Sequence, residues 1–330
     1  MSAPQRSVAT TNCAQTIAVE VIAIEQVSPL IKHFKLAPLA GDTLPAFSGG
    51  SHIIVVMQGA TRMHRNPYSI LSPPHQLDSY EIGVRRMEES RGGSHFMHDN
   101  VRLGSHLQIA HPVNLFGLDK IARKHVLIAG GIGITPFLAQ LEDLHDGDVP
   151  YELHYSVRSP EHAAFLDRLS QREGARVRMY YDSEGQGLDF EDLLATQPLG
   201  THVYVCGPAG MITRVVDTAR SCGWPDSHIH WEQFSAPPVG DAFEVFLARS
   251  ELSVHVVSDQ SLLECIEAAG VEVPYLCRGG VCGFCHTRVL ELDGELLHYD
   301  HYLSDADKSS GKSIMPCVSR ARGRRLVLDL

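Results

Sequence analysis

The chain has little of what marks a nucleic-acid-binding, membrane or secreted protein. Its 28 Lys and Arg residues are outnumbered by 39 Asp and Glu residues, for a net charge of −11, which argues against nucleic acid as a partner. The most apolar stretch, residues 126–138, contains three glycines and a proline and is too short to span a bilayer. Residues 1–15 lack the charged and apolar regions of a signal peptide. We therefore expect a cytoplasmic protein with a flexible tail over residues 1–15 and no membrane partner.

Motifs for hydrolytic or metal-dependent catalysis are also missing. The 19 histidines are scattered, without an H-E-x-x-H pair. No nucleophile elbow or catalytic triad is recognisable. We expect the histidines, including His95 and His98, to have packing or surface roles, and we predict no catalytic acid, base or nucleophile.

Cysteine is scarce, but four of the eight cysteines follow a pattern that indicates an iron–sulfur cluster. The spacing is C-x4-C-x2-C with a fourth cysteine after 31 further residues, and it matches the plant-type [2Fe–2S] ligand pattern. The predicted ligands are Cys277, Cys282, Cys285 and Cys317. Glycines at 279, 280 and 283 would let this loop adopt positive φ and bring backbone N–H groups near the sulfurs.

Zinc binding and disulfide formation are the two other common uses of such cysteines. A four-cysteine zinc site usually contains two C-x2-C pairs, and this chain has one. A disulfide framework is not expected, because the remaining four cysteines lie in unrelated contexts and no signal peptide is recognisable.

A glycine-rich turn predicts a nucleotide site. The apolar run Val126–Ala129 leads into Gly-Gly-Ile-Gly-Ile-Thr-Pro, which then enters a predicted helix. Backbone at such a turn can approach a pyrophosphate, and the helix N-terminus attracts its charge. The turn lacks the full G-x-G-x-x-G fingerprint, so an ordinary strand-to-helix turn is the alternative. The residues concerned are Gly130, Gly131, Gly133, Thr135 and Pro136.

The chain reads as three patterned segments. Residues 16–118 contain short strands separated by turn residues, which predicts an antiparallel barrel. Residues 119–235 alternate strands and helices, including a helix over Glu161–Ser170, which predicts a parallel α/β sheet of Rossmann type. Residues 236–242 are rich in Pro and small residues and are assigned as a linker. Residues 243–330 hold the cysteine loop and a helix that begins with a Ser261–Glu264 capping box.

Several motifs together resemble one family. The glycine turn and Cys206-Gly207-Pro208 are similar to the nucleotide domain of the ferredoxin–NADP reductase superfamily, and with the cysteine pattern the chain resembles the phthalate dioxygenase reductase family. Segments 66–71, 90–94 and 325–330 are most similar to the carnitine monooxygenase reductases within it. The resemblance implies a multidomain fold: a flavin barrel over 16–118, an NAD-binding α/β domain over 119–235 and a plant-type ferredoxin (β-grasp) domain over 243–330.

The resemblance also implies a flavin site. The family motif is Arg-x-Tyr-Ser, in which Tyr packs on the flavin ring, Ser bonds near its N5 and Arg binds the phosphate. Tyr68 and Ser69 match, but Asn66 stands at the Arg position, with Arg65 one residue earlier. Either Arg65 or Arg85 would supply the missing charge. On the residues alone, a core aromatic of the barrel is the favoured interpretation of Tyr68.

Further cofactor residues follow from the same resemblance. Val84 and Arg85 would contact the flavin, and Phe234 would cover the flavin face that nicotinamide must reach. Gly92, Gly93 and Ser94 precede a helix and would bind a terminal phosphate, which favours FMN over FAD. The pair Arg158 and Glu161 offers one basic and one acidic group to the ribose, and the family favours NADH over NADPH.

The predicted function is electron transfer from NADH through FMN and a [2Fe–2S] cluster to a terminal oxygenase. Flavin is needed because a hydride carries two electrons and the cluster accepts one. The resemblance implies a multicomponent oxygenase of Rieske type, acting on a small quaternary or methylated amine such as carnitine. Two alternatives stay open: a stand-alone NAD(P)H-dependent flavin reductase of small acceptors, and a non-enzymatic iron–sulfur electron carrier.

Overall fold

The computed structural model describes residues 16–59, 62–88, 90–145, 147–170, 176–234 and 238–330. The predicted tail and part of the predicted linker lie outside these residues. The chain divides at residue 237 into two compact units. Among the described residues, no helix is long and apolar enough to cross a membrane.

The first unit begins with an antiparallel barrel. Its strand order is β4-β3-β6-β1-β2-β5, with β7 paired to β3, and a bridge between Ile70 and Ile82 joins the end of β4 to β5. Alternate residues of each strand, such as Ile53, Val55 and Met57, fill the interior. The elements are β1 (Thr16–Ser28), β2 (Ile31–Pro38), β3 (Ser51–Gln58), β4 (Met63–Ser69), β5 (Tyr80–Arg85), α1 (Gly93–Asp99), β6 (His106–Ala110) and β7 (Val113–Asn114).

A parallel five-stranded sheet follows in the same unit. Its elements are β8 (Lys124–Gly130), α2 (Thr135–His145), β9 (Tyr151–Val157), α3 (Leu166–Ser170), β10 (Val177–Tyr181), α4 (Phe190–Ala195), β11 (Thr201–Cys206), α5 (Ala209–Ser221) and β12 (Ile229–Glu232). The strand order is β10-β9-β8-β11-β12, and all four pairings are parallel. The order reverses direction between β8 and β11, and α/β sheets bind ligands beyond the carboxyl ends of the strands at such a point.

An ion pair joins the barrel to the α/β sheet. Glu81 on β5 accepts hydrogen bonds from His33 and Arg168, and Arg168 belongs to α3. Burial alone would raise the pKa of Glu81, but the His33 hydrogen bond and the Arg168 charge outweigh it and lower the pKa to about 2. The carboxylate therefore ties the two layers together at neutral pH.

We expect Glu81→Gln to lower the free energy of unfolding at pH 7 by on the order of 2–3 kcal/mol. A depressed pKa contributes stability above the unfolded value and loses it as the pH falls, here from 4.5 towards about 2. The difference between variant and parent should therefore shrink through that window in urea unfolding experiments. The exposed Glu88 provides the control, and equal effects of Glu88→Gln and Glu81→Gln would contradict the assignment.

The second unit is a five-stranded sheet of the β-grasp type, with order β14-β13-β17-β15-β16. Its elements are β13 (Phe243–Leu247), β14 (Leu252–Val256), α6 (Leu262–Ala268), β15 (Thr287–Leu297), α7 (Asp305–Ser310), β16 (Ser313–Ile314) and β17 (Arg320–Leu328). The predicted capping box of α6 is confirmed: Ser261 and Glu264 each accept a hydrogen bond from the other's backbone N–H.

Candidate functional site

The four predicted cluster cysteines converge in the second unit. Three belong to the loop between α6 and β15, and Cys317 lies between β16 and β17. The Sγ atoms of Cys285 and Cys317 are 3.3 Å apart. All four are free thiols, with Cys282 half-buried and the others buried. A group of sulfurs drawn from two segments fits the ligand set of a [2Fe–2S] centre.

Backbone N–H groups surround these sulfurs. Gly279 N lies 3.3 Å from Cys277 Sγ. The pKa of Cys277 is lowered, first by the hydrogen bond from Cys282 and then by N–H groups of Gly279, Val281 and Cys282. Such donors stabilise thiolate ligands and tune a cluster's potential. Gly280 and Gly283 take positive φ as predicted, whereas Gly279 does not.

Arg278 is the third residue of this loop with a left-handed backbone conformation, and the glycine pattern does not predict it. Its φ is +51°, and its buried guanidinium makes a bidentate ion pair with Glu267 of α6 at 2.8 Å. The guanidinium also lies 4.4 Å from the ring of Tyr275. These contacts hold the residue directly after Cys277 in a conformation that a non-glycine residue rarely adopts.

The two predicted nucleotide motifs meet at the point where the order of the parallel strands reverses. A methyl group at Gly133 would lie 2.1 Å from the carbonyl oxygen of Cys206, and one at Gly130 would lie 2.7 Å from the Pro208 ring. A Cβ at Gly207 would approach the Gly130 backbone to 3.1 Å. Only glycine allows this close packing. Because these glycines carry no side chain, the backbone at the carboxyl ends of β8 and β11 is accessible to a ligand.

The predicted flavin residues lie on β4 and beside α1. Ser69 Oγ is buried and has no hydrogen-bond partner among the described residues. The Tyr68 hydroxyl is also buried without a hydrogen-bond partner among the described residues, and this burial raises its pKa. A methyl group at Gly93 would lie 2.5 Å from the Asn66 amide. Asn66 therefore faces the start of α1, and the register of β4 against β3 is regular from Met63 to Ser69.

That regular register bears on the missing arginine. Because consecutive residues of a strand point to opposite faces, Arg65 projects from the face opposite Asn66 and Tyr68. A shifted backbone that would bring Arg65 to the Asn66 position is not present. Ser94 is buried, and its Oγ lies 3.0 Å from Ser90 Oγ and 3.3 Å from Met87 N.

Strand β5, which carries two of the predicted flavin residues, is in contact with the predicted nucleotide loop. A Cβ at Gly83 of β5 would lie 3.0 Å from Thr135 Cγ2, 3.2 Å from Phe165 and 3.4 Å from Ile132. Val84 is buried next to Gly83, Arg85 is half-buried, and Phe234 after β12 is 45% exposed. The buried Cys206 is paired in register with Glu232, and burial raises the pKa of its thiol well above the ordinary value.

The unpartnered hydroxyl of Ser69 gives a test of the flavin site. We expect Ser69→Ala to slow NADH-driven flavin reduction roughly tenfold or more without destabilising the fold, because the hydroxyl bonds no described protein group. Stopped-flow absorbance and thermal unfolding measure the two effects. The control is Ser72→Ala, which removes the acceptor for Glu81 N and should lower stability instead. A reversed pattern would contradict the proposed role of Ser69.

Comparisons with known proteins place these sites in a family. Residues 245–322 match the model of the 2Fe-2S iron-sulfur cluster binding domain, and residues 112–229 match the N-terminal domain of dimethylamine monooxygenase subunit DmmA-like proteins. The chain is 50% identical over 312 residues to the carnitine monooxygenase reductase subunit of Acinetobacter baumannii, covering 94% of this chain and 96% of that protein.

Two further matches cover nearly the whole chain. The heme-dependent oxidative N-demethylase beta subunit of Ectopseudomonas mendocina is 44% identical, with coverage of 94% and 98%. The solved structure of phthalate dioxygenase reductase, described as modular for electron transfer from pyridine nucleotides to [2Fe-2S], is 34% identical, with a TM-score of 0.84 and coverage of 96% and 98%.

The fold and the cysteine site therefore define an iron–sulfur oxidoreductase. The chain belongs to the phthalate dioxygenase reductase family and is the reductase component of an oxygenase system. The predicted resemblance to carnitine monooxygenase reductases is confirmed, and so is the predicted multidomain fold.

Proposed function

We propose that this reductase carries electrons from NADH through FMN and a [2Fe–2S] cluster to a terminal oxygenase that acts on a small methylated or quaternary amine such as carnitine. The contact between Gly83 of the barrel and Thr135 of the nucleotide loop supports the proposal most directly, because hydride transfer requires flavin and nicotinamide to meet. FMN, when bound, supplies the conversion of a two-electron hydride into single electrons.

The nucleotide would lie along residues 130–136 and 206–208. Glycines at 130, 131 and 133 let the backbone approach its pyrophosphate, and α2 directs its N-terminus towards that charge. Thr135 and Pro136 begin that helix. The protonated, buried Cys206 adds no charge beside the nicotinamide, and Phe234 would cover the flavin face until nicotinamide displaces it.

The flavin would lie against β4 and β5. Tyr68 would pack on its ring, Ser69 would donate to its polar edge, and Val84 and Arg85 would contact it from β5. Asn66, with Gly92, Gly93 and Ser94, would form the phosphate end. Arg65 points away from its neighbour Asn66 at the phosphate end, so Arg85 is the better candidate for the compensating charge.

The cysteine loop would deliver single electrons to the partner. Cys282 is the half-buried member of the four, and Phe284 in the same loop is 50% exposed, so this side of the loop is open to a protein. We further propose the domain limits 16–118, 119–235 and 243–330 with a linker over 236–242, and a cytoplasmic location, which suits thiolate ligands.

A second partner class has its own support. The match over residues 112–229 and the 44% identical relative are named for dimethylamine monooxygenase and heme-dependent N-demethylation. A heme-containing oxygenase of methylated amines is therefore the alternative to one of Rieske type.

The proposal is tested by recording the visible absorbance spectrum of the purified protein, under anaerobic conditions, before and after NADH is added. NADH should bleach both the flavin and the [2Fe–2S] bands, and failure to bleach either would refute the electron path. NADH oxidation should then be faster with the cognate oxygenase than with small dyes. Faster turnover with dyes would favour a stand-alone flavin reductase. Identifying the cofactor of the oxygenase that accepts the electrons would show whether the partner is of the Rieske type or contains heme.

A further inference from the structure

A cluster of histidines lies at the opposite end of the parallel sheet from the nucleotide loop. His125, His202 and His230 occupy the second residues of β8, β11 and β12, and Asp119 precedes β8. The nucleotide motifs follow the carboxyl ends of the same strands, four or five residues further along β11 and β8, or roughly 13–16 Å away. The proposed electron-transfer function assigns no role to these four side chains.

Three ligand-type atoms converge there. His202 Nδ1 lies 3.0 Å from His230 Nε2 and 3.8 Å from Asp119 Oδ2, and the three residues each offer one such atom within 4.8 Å of the others. A tetrahedral zinc ion with bonds of about 2.0–2.1 Å holds its nitrogen and oxygen ligands about 3.3 Å apart. The observed separations bracket that value.

The orientation of each of these three side chains is fixed by neighbours. The His202 ring stacks on His228 at 4.1 Å, and the His230 ring stacks on Tyr204 at 4.4 Å. Asp119 Oδ1 accepts a hydrogen bond from Ile121 N at 3.0 Å, which leaves Oδ2 directed towards His202. Supporting contacts of this kind preorganise a metal site.

We propose that Asp119, His202 and His230 form a site for a divalent cation of the zinc type, separate from the electron-transfer cofactors. Two imidazole nitrogens and a carboxylate oxygen suit zinc and its neighbours better than magnesium or calcium. The Asp119 side chain is 35% exposed whereas His202 is 3% exposed, so the fourth position opens on the Asp119 side and takes water or a small anion. The alternative is a metal-free hydrogen-bonded pair in which one imidazole donates to the other.

The test uses the holoprotein with FMN and iron in place, treated with EDTA and then titrated with zinc sulfate. We expect uptake of one zinc per chain by elemental analysis, with iron content unchanged, and a rise in the thermal unfolding temperature. Asp119→Asn and His230→Gln should each weaken the affinity at least tenfold. His125→Gln is the matched control, since it lies in the same layer but is outside the ligand group, and it should bind zinc normally.

X-ray absorption at the zinc edge separates the proposed site from displaced iron. Nitrogen and oxygen scattering at about 2.0–2.1 Å is expected, whereas sulfur at about 2.3 Å would place zinc on the cysteines and overturn the proposal. Equal affinities of parent, Asp119→Asn and His230→Gln would overturn it as well. The flavin content of each variant shows whether that variant is folded. If a variant fails to fold, zinc uptake by the parent protein and its X-ray absorption spectrum still show whether zinc binds at the proposed site.

Discussion

Cys282→Ser should leave NADH-driven flavin reduction near the parent rate while electron delivery to the oxygenase falls by roughly a hundredfold or more. The predicted cluster cysteines lie in the unit that begins at residue 237, and the predicted flavin and nucleotide residues lie in the unit before it, each with its own core. Cys282 is half-buried, so replacing its sulfur by oxygen removes a ligand without opening a cavity in the core.

Stopped-flow spectroscopy measures the two steps separately in the same sample. The control is Cys265→Ser in α6, a buried cysteine outside the ligand pattern whose Sγ donates to Gln260 at 3.3 Å. It should keep both iron and electron delivery. If Cys282→Ser also stopped flavin reduction, the cluster would be required for the fold of the whole chain rather than for the exit of electrons.

Gly133→Ala should raise the KM for NADH more than tenfold and slow flavin reduction at low NADH. An added methyl group would lie 2.1 Å from the carbonyl oxygen of Cys206, so one of the two nucleotide motifs must move. A displacement of about 1 Å at a binding site can cost about a hundredfold in rate.

The matched control for Gly133 is Gly187→Ala, where a methyl group meets no atom within 4 Å and φ is not in the left-handed region. It should leave the KM unchanged. Photoreduction of the flavin with a chemical donor checks that Gly133→Ala still holds FMN. An unchanged KM would show that nucleotide does not use this turn.

The strand that carries the flavin motif was the hardest to predict. The segment Met63–Ser69 is polar, lacks the alternation of a half-buried strand and contains Pro67, which normally argues against a strand. Pro67 is tolerated because β4 stands at the end of the strand order and pairs only with β3 over this length. The local sequence pattern therefore does not predict a strand here, and the family motif alone identifies Tyr68 and Ser69 as candidate flavin residues.

Other differences have local causes. The predicted helix over Glu161–Ser170 is wrong in part: a short 3-10 turn spans Pro160–His162, and α3 begins only at Leu166. Phe165 takes a φ of +61° between them, because its ring packs into the interface with β5. A tertiary contact of Phe165 thus interrupts the helix that the local sequence pattern predicts, and the local sequence does not reveal this contact.

The histidine cluster also escaped the sequence patterns. His202 and His230 are 28 residues apart and Asp119 is 83 residues before His202, so no short motif connects them. Only the parallel pairing of β8, β11 and β12 brings them together. By contrast, three of the cluster cysteines come from one loop, and short spacing alone identified them.

The buried Arg278–Glu267 pair couples the cysteine loop to helix α6. Arg278 follows the first cluster cysteine, and Glu267 lies in the last turn of α6, so fraying of that helix releases the loop that holds three sulfurs. Loss of visible absorbance during heating should therefore report melting of α6 as well as chemistry at the metal. We therefore expect the lifetime of the bound cluster to depend on a salt bridge outside its ligand set.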